Sequence, residues 1–180
     1  MNQPASAYFM EERHDPNETH TLSVLVANES GVLARVIGLF SGRGYNIESL
    51  TVSETESQKH VSRITIVTTG TPMVITQFKH QLDRMIPVYQ VVDMTMTGRS
   101  IERELAMVKV KGSGDQRIEA MRLAEVFRAR VVDATNESFV FEITGATSKI
   151  DQFVNLMRPI GLVEVSRTGV AAISRGPEGM

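Results

Sequence analysis

Residues 27–50 read ANESGVLARVIGLFSGRGYNIESL. The stretch opens as a polar turn, Asn28–Glu29–Ser30–Gly31, and then becomes periodic. Val32, Leu33, Val36, Ile37, Leu39 and Phe40 recur at helical spacing and define one apolar face. Gly42 and Gly44 are expected to supply the left-handed positions that commonly end a helix. YNIESLTVSE then reads as a strand, rich in branched residues and flanked by polar ones. A turn, a helix, a glycine stop and a strand within two dozen residues is half of a split βαβ unit. The rest of the chain can be read outward from it.

Upstream, TLSVLVA (21–27) alternates and is a strand. Downstream, VSRITIVTT (61–69) is another, joined to the first stretch by the polar loop TESQKH. Val74, Phe78, Leu82 and Met85 mark a second helix that starts near Pro72, and PVYQVVDMT (87–95) closes the unit. The order is strand, helix, strand, strand, helix, strand. The same order then recurs. ELAMVKV is a strand, and Ala120, Leu123, Ala124 and Phe127 share a helical face. RVVDAT and SFVFEITG form a hairpin through NES. Ile150, Phe153, Val154 and Met157 mark a helix, and GLVEVSRTG closes the copy. The fold class predicted is α+β: two ferredoxin-like βαββαβ units, each an antiparallel sheet with two helices on one face. They are placed at 20–97 and 102–176, joined through TGRSI and preceded by a flexible tail, 1–19. The edge and uncovered face of the first sheet are expected to be apolar, and a second copy or the other half is expected to cover them.

Composition narrows the function. The 180 residues are 42% hydrophobic and 22% charged with a formal net charge of −2, as in an ordinary globular protein. There is no basic surplus with which to displace counterions from a polyanion, so nucleic acid is not an expected partner. The third strand of the first unit also lacks the aromatics on which RNA-binding modules stack bases. The sequence has no cysteine, which excludes disulfides and thiolate metal sites. No apolar run is long enough to span a membrane, and the first twenty residues lack the apolar core of a targeting signal. The expected compartment is the cytoplasm. His14, His20, His60 and His80 show no metal-ligand spacing, and no nucleophile, base and acid stand in a catalytic pattern. Glu48, Glu54 and Glu56 read as a solvated strand edge. GRGYN follows a helix instead of joining a strand to one, which argues against a dinucleotide site.

That leaves the turn before the first helix. Free N–H groups at a helix start, at the positive end of its dipole, favour an anion such as a carboxylate. Gly31 would let a ligand approach the main chain, and the Asn28 amide both donates and accepts, which suits an amino acid. A cap formed by Asn28 or Ser30 is the alternative, and from the turn alone it is the commoner one.

LVANESGVLARVIGLFSGRGYNIESLTVSETE closely resembles the N-terminal signature of the regulatory (small) subunits of acetolactate synthase, an ACT-domain family. VSRITIVTTG, QLDRMIPVYQVVDMT, IERELAMVKV and EVSRTGVAAISRG continue the resemblance in the same order, over about 20–176. The resemblance implies a chain without catalytic activity of its own. It implies an ACT domain in the first half that binds effector and dimerises side by side, and a related domain in the second half. The implied partner is a catalytic large subunit that uses thiamine diphosphate, Mg2+ and FAD. That subunit would be activated by this chain and inhibited through it by valine, or in some members isoleucine or leucine. By motif, Asn28 and Gly31 match the effector loop, and Ser30, Val32 and Leu33 would act mainly through backbone N–H groups. Asn46 and Ile47 match the opposite wall, contributed by a partner protomer. An alternative from another class is a free-standing amino-acid sensor that regulates some other enzyme or a transcription factor.

Overall fold

The computed structural model describes residues 16–56, 60–98 and 100–180. Most of the expected tail, 1–15, lies outside them. The first half runs β1 (Glu18–Ala27), α1 (Val32–Ser41), β2 (Ile47–Glu56), β3 (Val61–Gly70), α2 (Pro72–Asp83) and β4 (Val88–Asp93). The second runs β5 (Ser100–Lys111), α3 (Asp115–Phe127), β6 (Arg130–Ala134), β7 (Ser138–Gly145), α4 (Thr147–Gly161), β8 (Leu162–Arg167) and β9 (Ala171–Ser174). The sheets are antiparallel, ordered β2-β3-β1-β4 and β6-β7-β5-β8, with β9 added to β5. These are the two α+β units predicted, each with its helices packed on one face.

The apolar face expected of α1 is buried in its centre, with Ile37 and Leu39 half-buried at its margins and Leu33 exposed. Val32, Val36 and Phe40 are buried, and they meet Leu22, Val24 and Val26 of β1 and Ile64 and Ile66 of β3. The face of α2 adds Ile75, Phe78 and Leu82. Phe78 stacks on Phe40 at 4.5 Å and receives the Tyr45 ring edge-on at 4.5 Å. Each such pair contributes about 0.5–1.5 kcal/mol beyond area burial. Thr71 caps α2 by accepting from Val74 N–H, with Pro72 in the first turn. The second core is built the same way. Ala120 and Ala124 of α3 and Ile150, Phe153 and Met157 of α4 pack on Ala106, Val108 and Val110 of β5 and on Phe139, Phe141 and Ile143 of β7.

Four details differ from the sequence reading. β1 starts at Glu18, paired with Gly70, so two residues of the expected 1–19 tail lie in the sheet. Gly42 is right-handed (φ −64°), and only Gly44 takes the left-handed position (φ 70°). β5 begins inside the expected linker, because Ser100–Arg103 pair with β9. Lastly, the helix-free face of the first sheet is largely hydroxylic and is already buried at Thr21, Ser23 and Thr65, with Thr168–Val170 of the second half lying against Ser49 and Thr51. The register places two rows on this face, Ser49–Val67–Thr21 and Thr51–Thr65–Ser23–Val92. Alternation decides this: Leu22 and Val24 take the helix side, so the serine and threonine between and before them take the other. The uncovered face of the second sheet carries the Lys109–Glu164 and Arg130–Glu142 ion pairs.

Candidate functional site

The turn before α1 is held by three hydrogen bonds to two loops. Ala27 N–H donates to the Pro87 carbonyl at 3.0 Å, and Asn28 N–H donates to the His60 carbonyl at 2.6 Å. From the first turn of α1, Arg35 Nη1 reaches the Ile86 carbonyl at 3.3 Å. The loops after β2 and after α2 therefore fix where Asn28 stands. Neither contact was legible in the sequence, since His60 and Pro87 are remote along the chain and act through their carbonyls.

Gly31, and not Asn28 or Ser30, is the N-cap. It sits at φ 86°, ψ −7°, and no side chain closes the helix start. Val32 N–H makes only a long bond to the Glu29 carbonyl, 3.4 Å, and Arg35 N–H bonds the Gly31 carbonyl at 3.1 Å. Among the described residues no oxygen accepts from the N–H groups of Ser30, Gly31, Leu33 or Ala34. Asn28, Ser30 and Gly31 are exposed, and an added Cβ at Gly31 would meet nothing within 4 Å. The helix start thus presents its positive dipole end and several donors to open space. Val32 turns its side chain into the core (3% exposed), so only its backbone lies at the turn, which is the part of it expected there. Leu33 is 37% exposed and flanks the donors.

Asn46 and Ile47 stand elsewhere. Asn46 is exposed, with its carbonyl accepting from Thr68 Oγ1 at 2.7 Å, and Ile47 is half-buried against the core. Ala27 pairs with Val61 while Ile47 pairs with Thr68, seven residues farther along β3. At about 3.3 Å per residue that is roughly 23 Å. The two ends of α1 cannot touch one small molecule within a single chain.

A large cavity lies at neither end of α1. About 930 Å3 opens between the two halves, where Thr21, Ser49 and Val67 face Arg103 and Arg167. There Glu104, 5% exposed, is held by Arg167 through bonds of 2.7 and 2.6 Å, and Arg167 also reaches Asp151 at 2.7 Å. The Glu104 carboxylate, more than burial opposes, pushes the guanidinium above its ordinary value. These charges satisfy one another. A second buried pair, unforeseen because its members are 73 residues apart, joins His20 Nδ1 to Asp93 Oδ2 at 2.7 Å. Asp93 Oδ1 also accepts from Thr95 and Met96 N–H, which makes the pair a tie for the end of β4. No group of three or more potential ligands gathers around a metal position among the described residues. No helix among them is long and apolar enough to cross a membrane.

Residues 22–90 match the model of the acetolactate synthase (AHAS) small subunit-like ACT domain, and residues 103–176 match that of the small subunit of acetolactate synthase. The chain is 46% identical to a probable acetolactate synthase small subunit of Archaeoglobus fulgidus, covering 87% of this chain and 97% of that one. It is 44% identical to the acetolactate synthase isozyme 3 small subunit of Escherichia coli, over 86% and 94%. The crystal structure of the Thermotoga maritima acetolactate synthase small subunit superposes with a TM-score of 0.79 at 35% identity, covering 89% of this chain and 99% of that one. With its ACT-type first half, its second split βαβ unit and a match along nearly its whole length, the chain belongs to the family of acetolactate synthase small subunits.

Proposed function

We propose that this chain activates a thiamine-diphosphate-dependent large subunit in the cytoplasm and makes it subject to feedback inhibition by valine. The observation that carries the effector reading is the uncapped start of α1. Its free N–H groups suit the α-carboxylate of an amino acid, and the adjacent Asn28 amide can engage both charged ends. Leu33 offers apolar surface beside them. Asn46 and Ile47 of a second copy would close the site, because the same residues of one chain lie at the wrong end of the sheet. The active form is therefore a homodimer through the ACT halves, with effector at the interface and bound preferentially by the associated state. Thiamine diphosphate, Mg2+ and FAD would be held by the large subunit.

Reconstitution tests this reading. The chain alone should form no acetolactate from pyruvate. Added to the large subunit of its own source, it should raise the rate, and valine should lower that rate again. A large subunit whose rate is unchanged by the chain, with and without valine, contradicts it and favours a sensor for another protein.

A further inference from the structure

The connection between β8 and β9, Thr168–Gly169–Val170, belongs to the second half but lies on β2 of the first. Val170 N–H donates to Ser49 Oγ at 3.0 Å, and Thr51 Oγ1 donates to the Thr168 carbonyl at 3.4 Å. Gly169 is at φ 83°, and a Cβ there would stand 2.7 Å from Ser49 Oγ and 2.8 Å from Thr51 Oγ1. Glycine is required twice over, once by the backbone and once by the approach. On its other side the connection is tied into its own half. Thr168 N–H donates to the Leu105 carbonyl at 3.0 Å, and Thr168 Oγ1 accepts from Leu105 N–H at 3.2 Å. The neighbouring Arg167 bonds Glu104 of β5 and Asp151 of α4.

The strand it touches is the one that begins at the proposed effector wall. Ile47 pairs with Thr68 and Ser49 with Val67, so Glu48 is an extra residue in β2, between the wall and the contact. Such a bulge bends a strand and re-aims the residues on either side of it. Thr69 Oγ1 donates to the Glu48 carboxylate and ties the bulge to β3. Ser49 is two residues from Ile47. A ligand that draws Asn46–Ile47 toward a partner would thus act on the strand that holds the second half.

We propose that Thr168–Gly169–Val170 is a latch through which the second half senses β2, so that effector contact at Asn46–Ile47 changes the hold of one half on the other. The latch rests on the effector-site reading at α1. Because coupling is reciprocal, loosening the latch must change effector affinity by the factor that effector changes the latch.

Hydrogen exchange of the full chain with and without saturating valine tests it, on the wild type and on Ser49→Ala combined with Thr51→Val. The double variant removes two hydroxyls and adds no bulk. In the wild type, valine should slow exchange at 28–35 and 46–52 and also alter it at 168–172. In the variant the first two responses should persist and the third should vanish, with valine affinity shifted by about fivefold or more. Exchange at 168–172 that ignores valine in the wild type while 28–35 and 46–52 respond overturns the latch. So does a variant that keeps its response at 168–172. Absence of any response at 28–35 and 46–47 overturns the effector site itself, and the latch with it.

Discussion

Gly31→Asp should leave the fold intact and abolish the valine response. The site is open, with nothing within 4 Å of a Cβ, so the cost is confined to the backbone at φ 86°. Holding an L-residue in the left-handed region costs about 1–2 kcal/mol, and aspartate is among the residues that visit it most readily. A carboxylate at the helix start recovers about 0.3–1 kcal/mol from the dipole. The net loss is then about 1 kcal/mol, or roughly 4–8 °C in Tm for a unit of this size. The effect on the ligand is larger. The new carboxylate lies beside the Leu33 and Ala34 N–H groups that the effector would use, and repels the effector's own. Losing one or two charge-assisted bonds of about 1.5–3 kcal/mol each weakens binding at least ten- to hundredfold. Thermal melts, calorimetric titration with valine and the reconstituted activity measure the three quantities. A variant that melts near the wild type yet is inhibited at wild-type valine concentrations would refute the placement of the effector at α1. A fall in Tm far beyond 8 °C would refute the claim that the turn is open.

Two further outcomes follow from the packing. Arg167→Ala strips the cation from Glu104, a carboxylate only 5% exposed. Breaking a fully buried pair costs about 3–5 kcal/mol; with Arg167 a third exposed, about 2 kcal/mol is expected in the urea-unfolding free energy of the second half. A change below about 0.5 kcal/mol would show that water reaches Glu104 freely. A chain ending at Gly98 keeps every residue of the first core, from Leu22 to Val91, and should melt cooperatively and bind valine. A broad, non-cooperative melt would show that the first half depends on the second for its fold.

What the sequence disclosed follows from what is local. The 3.6-residue spacing of Val32, Val36 and Phe40 announced a helix, and all three are buried. Alternation in TLSVLVA announced a strand, but its parity sends Thr21 and Ser23, together with Leu25, to the helix-free face, while Leu22, Val24 and Val26 take the core. β9 is four residues long and forms only because Ser100–Arg103 are already extended beside it; nothing in AAIS signals a partner more than 65 residues away. The His20–Asp93 pair was hidden for the same reason. At the candidate site, a turn capped by Asn28 or Ser30 and one capped by Gly31 share the same residues. The structure gives the N-cap to Gly31, at φ 86°, and no side chain closes the helix start.

The claim that two copies share each effector site is tested most directly by complementation between Asn28→Ala and Asn46→Ala chains. Each variant alone should form dimers in which both sites are damaged and valine binds weakly. When the two are unfolded together and refolded as an equal mixture, about half of the dimers are mixed. In each mixed dimer one site carries both substitutions and the other carries neither. Calorimetric titration should therefore recover wild-type affinity at about a quarter of the sites, which neither variant shows alone. A mixture that binds valine no better than its components would contradict the shared site and confine the roles of Asn28 and Asn46 to single chains.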